Sequence, residues 1–115
     1  MSNNIPIKYG EVREEQIYDF ITQMKNQIFK ILPLKEKGKT WDKHLHTIML
    51  ELCGAHQLFD GRFNFLRVMC KLEPLFDGIS DDDFRKTILE TIPMMENIYK
   101  EGIDKIKELE ENDNS

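Results

Sequence analysis

Residues 61–76, GRFNFLRVMCKLEPLF, constrain this chain more than any other stretch. Wound as a helix from about Arg62 to Leu72, the segment is apolar nearly all round. Phe63, Leu66 and Cys70 share one side, while Phe65, Val68, Met69 and Leu72 cover much of the rest. Only Asn64, Arg67 and Lys71 form a narrow polar stripe. A helix apolar around most of its circumference belongs inside a protein, with other helices packed on it. The predicted fold is therefore all-α: a compact four- or five-helix bundle with this helix at its centre.

The rest of the chain supplies its partners. Ile17, Phe20, Ile21, Met24, Ile28, Ile31 and Leu32 recur at helical spacing, which predicts a first helix from Glu11 to Leu32. Glu11, Glu14 and Glu15 crowd its first turn, and Pro33 is expected to end it. A second helix is predicted from Trp41 to Phe59, with Thr40 as its N-cap and Asp60-Gly61 as its stop. Ser80 followed by three aspartates reads as a capped start for a further helix. Pro93 is expected to kink that helix or to separate it from a last one, Met94 to about Glu110. In that last segment Met95, Tyr99, Gly102, Ile106 and Leu109 fall at near-heptad spacing, and Gly102 invites close approach by a neighbour. Residues 1–10 read as an extended N-terminal arm, in which Ile5, Ile7 and Tyr9 alternate. Residues 11–110 read as a single helical domain and 111–115 as a frayed tail.

A chain of 115 residues fits one domain with a self-supporting core. Charge is unevenly placed. Residues 1–60 balance eight basic against eight acidic side chains, while residues 61–115 hold eight against thirteen. An acidic half repels phosphate backbones and weighs against general nucleic-acid binding. Cys53 and Cys70 both lie in apolar helical contexts, where buried, reduced thiols of a cytosolic protein are the expectation. The opening MSNNIPIKYG lacks the charged and apolar regions of a signal peptide, and no apolar run approaches a membrane span. The expected location is the cytoplasm, with no membrane partner. Lysine outnumbers arginine twelve to four, a bias that points to an AT-rich bacterial or phage genome.

No segment carries a catalytic signature, and no catalytic residue or cofactor is expected. Cys53 and His56, spaced i, i+3, share a helical face and are chemically competent metal ligands. A structural zinc site wants four ligands, usually paired on two elements, and no CxxC is present. His44 and His46 project in different directions, so at most one can join Cys53. A Cys53–His56 nucleophile and base would need an exposed, activated thiolate, which an apolar stripe does not provide. DGISDDDF fails the calcium-loop spacing, and helix capping accounts for its serine and acids. Lys35, Lys37 and Lys39 form a basic loop, and Trp41 beside them could stack on a base. Met94, Ile98 and Tyr99 extend the apolar surface of the last helix beyond one stripe.

These features favour a non-enzymatic protein–protein interaction module: an accessory, adaptor or inhibitor subunit that binds another protein, or itself, through the C-terminal helix. The first alternative is a nucleic-acid-associated protein using the Lys35–Lys43 loop. The second is a metal-binding helical protein centred on Cys53 and His56.

Overall fold

Alternation at Ile5 and Ile7 is realised as a strand. The computed structural model describes residues 4–7 and 10–113, with side chains up to residue 109. Strand β1 (Asn4–Ile7) pairs antiparallel with β2 (Gly10–Arg13), Ile5 opposite Val12. Ile5 is buried in the core, so the arm is a small hairpin sealed against the helices. Tyr9 and the end of the tail, residues 114–115, lie outside the described residues. Helix runs on through residues 111–113, which the sequence reads as frayed.

Because β2 takes residues 10–13, the first helix starts later than its periodicity predicts. Helix α1 spans Glu14–Glu36, and the Gln16 side chain accepts the Arg13 backbone N–H at 2.9 Å. Pro33 does not end it. Proline costs a helix one N–H donor, and α1 continues for three residues beyond it. The true stop is Gly38, whose φ of +68° only glycine adopts freely. Gly38 donates to Lys35 and Lys39 to Leu34, the two bonds of a Schellman cap.

Helix α2 spans Asp42–Leu58. Its N-cap is Trp41 rather than Thr40, and no side chain caps it. Aromatic packing fixes this end: Trp41 meets Phe84 edge-on at 5.0 Å and stacks with Phe76 at 6.4 Å. The Asp60-Gly61 stop forms as expected, with Asp60 at φ +52° and Gly61 donating to the His56 carbonyl.

Helix α3 (Phe65–Leu72) is shorter and more open than an enclosed central helix. It buries Phe65, Val68 and Leu72, while Leu66 is 45% exposed and Cys70 is also exposed. Phe63 is fully buried, but from the loop before the helix. A short 3-10 helix, Glu73–Asp77, follows. Helix α4 then runs unbroken from Asp81 to Asp113, so Pro93 does not divide it and the described residues form four α-helices. Ser80 caps it as expected, accepting the Asp83 N–H on its hydroxyl at 3.2 Å.

At ~1.5 Å per residue α4 is about 50 Å long, close to the 55 Å long axis of the molecule. Helix α1 lies antiparallel to it, shown by contacts of Lys35 with Asp81, Lys25 with Glu96, and Glu14 with Tyr99. Helix α1 also packs on α2, and α3 bridges α2 and α4, which closes a ring around one apolar core. Thr91 is the buried polar side chain of that core, and its hydroxyl donates to the Thr87 carbonyl at 2.7 Å.

Candidate functional site

Between the outer faces of α1 and α2 the core comes to the surface. Ile17, Phe20, Ala55, Leu58 and Phe59 line a groove of about 370 Å³, closed at one end by Val12 of the hairpin. Two features of α2 open it. Gly54 has no side chain, and a Cβ there would meet nothing within 4 Å. Ala55 beside it is the smallest buried side chain of the helix. Gln16 and Gln23 of α1 and Glu51 of α2 form the polar rim. Leu50, one helical turn before Gly54, stands 62% exposed and extends the apolar border. At the far end, toward the α1–α2 loop, His44 ties the helices together by donating from Nε2 to the Gln27 carbonyl at 2.8 Å.

A larger cleft of about 450 Å³ lies where α1 ends beside the start of α4. Four of its five charged side chains pair with each other, and Asp82 is the fifth. Lys35 pairs with Asp81 at 3.1 Å and Arg85 with Glu36 at 3.4 Å. A cleft whose charges are mostly paired with each other offers less to a ligand, so the apolar groove is the stronger candidate.

The basic loop is altered by its surroundings. Lys35 sits 4.7 Å over the Phe84 ring while held by Asp81. Trp41 is half-buried between Phe76 and Phe84, so it does not present an open stacking platform. Lys37 and Lys39 are exposed, but the three exposed aspartates that open α4 share this end of the bundle. Tertiary packing thus sets carboxylates beside the lysines and weakens their field toward phosphate.

The metal candidates stay apart from other ligands. Cys53 is half-buried and Cys70 exposed, and both are free thiols, so neither is the buried cysteine that the apolar pattern implies. The nearest polar partner of Cys53 is Gln57, whose Nε2 lies 3.9 Å from the sulfur. His56 is half-buried with its Nδ1 lacking any hydrogen-bond partner. Among the described residues no group of three or more histidine, cysteine or carboxylate side chains is placed to hold a metal ion.

The C-terminal trio serves the bundle itself. Ile98 is 1% exposed, Met95 fully buried and Met94 half-buried. Tyr99 meets Tyr18 edge-on at 5.7 Å and donates its hydroxyl to Glu14 at 3.3 Å. Burial lifts the Tyr99 hydroxyl above its ordinary pKa, and the Glu14 carboxylate acts in the same direction. On α4 it is Leu109, 51% exposed, that carries the heptad seam out past the buried Ile106.

Sequence reasoning missed the groove. Its one signal was Gly54, a glycine inside a helix on the side away from the main apolar stripe, where it weakens the helix without serving the core. Comparison with protein families, with curated proteins and with solved structures gives no match at any of the three levels.

Proposed function

We propose that this chain is a non-enzymatic protein–protein interaction module, an accessory, adaptor or inhibitor subunit of a bacterial or phage system, working in the cytoplasm through the α1–α2 groove. The observation that carries this reading is the groove itself. An apolar floor of Ile17, Phe20 and Phe59, left open by Gly54 and bordered by an exposed Leu50, is surface that a monomer gains by covering. Cytoplasmic placement accords with the absence, among the described residues, of any helix long and apolar enough to cross a membrane. A local bend of α4 at Pro93, where the Leu89 carbonyl lacks its helical donor, belongs to the same proposal.

Gly54→Trp tests it. The substitution fills the groove, and its Cβ has free space to enter. Tagged wild type and variant are used to capture partners from lysate of the host cell, with and without nuclease. The expected result is a stoichiometric protein that survives nuclease and is lost with Gly54→Trp. Recovery of nuclease-sensitive material alone, or of the same partners by both proteins, would overturn the proposal.

A further inference from the structure

We infer that the occupant of the α1–α2 groove is a basic amphipathic helix of another protein, an inference that rests on the groove being the working surface.

The walls decide the backbone of the occupant. Both are α-helices, whose amide and carbonyl groups are engaged in their own helical bonds. The floor offers only hydrocarbon and aromatic carbon. An extended peptide laid there would bury backbone polar groups with no partner. A helix brings its backbone bonds with it and presents apolar side chains at i, i+3, i+4 and i+7. The wall from Gln16 to Gln23 is about 10 Å long, roughly two helical turns, which accommodates two or three such anchors.

The rim decides the charge. Among the described residues Glu51 is the one charged residue of the lining. Asp19 is exposed one turn from both Gln16 and Gln23. Among the described residues neither carboxylate is ion-paired: the acidic partners there are Glu36, Asp81, Glu90 and Glu96. Gln23 and Glu51 mark the end of the groove away from the hairpin, and Lys30 and Lys43 lie about two turns further toward the α1–α2 loop. Lys or Arg flanking the anchors would meet Glu51 and Asp19, whereas an acidic helix would be repelled.

The test is a display selection with random peptides of about 14 residues, roughly four helical turns, on the wild-type protein and on Gly54→Trp. The expected winners carry apolar residues at helical spacing, are net positive, and bind wild type but not Gly54→Trp. Asp19→Asn with Glu51→Gln should weaken them roughly tenfold, as should added salt. Winners that need an open groove but are neutral or acidic would overturn the basic-helix inference while sparing the groove. Winners that bind Gly54→Trp equally well, or no winners, would overturn both. Sedimentation of the free protein supplies the other arm: a dimer that Gly54→Trp dissociates would assign the groove to a second copy of the chain and overturn the inference.

Discussion

The Phe63 ring lies directly on Gly102 of α4, so close that a Cβ built on the glycine would collide with the ring. Around this contact the ring also meets Phe59 edge-on and stacks with Phe65 and Tyr99. One loop residue thus joins the end of α2, the start of α3 and the middle of α4.

Gly102→Ala weighs two opposed effects. Alanine gains ~1 kcal/mol in helix propensity over glycine. Overpacking a close-packed site costs about 1–3 kcal/mol. The ring is fully enclosed and has nowhere to retreat, so net destabilisation is expected, read as a lower urea midpoint. Phe63→Leu should reduce the penalty in the double variant. A Gly102→Ala protein more stable than wild type would show that the ring moves freely.

Pro93 is exposed in the interior of α4 and supplies no N–H to the Leu89 carbonyl. Pro93→Ala restores that bond and removes the ring's clash with the preceding turn. A gain of about 1–3 kcal/mol is expected, measured by thermal or urea unfolding. A loss would mean that the packing of α4 on α1 depends on a proline-shaped helix.

Ile98 and Leu109 separate core from surface on the same helix. Ile98→Glu places a carboxylate at a site only 1% exposed and should cost several kcal/mol, roughly the loss of the fold. Leu109→Glu, at a site 51% exposed, should change stability by no more than about 0.5 kcal/mol. Circular dichroism distinguishes the two. A well-folded Ile98→Glu protein would return that residue to the list of partner contacts.

Alkaline pH should act through Tyr99. Its pKa is raised first by burial and then by Glu14. The folded state therefore keeps the proton at a pH where the unfolded state has released it. The stabilisation is intact below the ordinary value of 10.0 and is lost as pH rises through the folded pKa. Tyr99→Phe removes both this dependence and the hydrogen bond to Glu14. The stability gap between wild type and variant should narrow as pH rises past the ordinary value of 10.0. A gap that stays constant would remove Tyr99 as a source of alkaline sensitivity.

Much of the fold was legible because its signals are local. Ser80 with its aspartates starts a helix wherever it lies, since the cap is a bond between residues three apart. Asp60-Gly61 ends one for the same reason, through conformations that few other residues adopt. Helical spacing named Ile17, Ile21, Met24, Ile28 and Ile31 as core, and all five are buried. Gly102 also declared itself, as a glycine in a helix where a neighbour must come close.

What the sequence by itself determined is the set of helices, most of their stops and the apolar face of each. Those depend on backbone geometry and on side chains a few residues apart. Which partner meets each face is decided by contacts far along the chain, and these arose only in the tertiary structure. It set Asp81 against Lys35, laid Phe76 and Phe84 on Trp41, and buried Ile98 while leaving Leu66 open. It also left Gly54 facing free space, because a groove belongs to two helices at once and is written in neither.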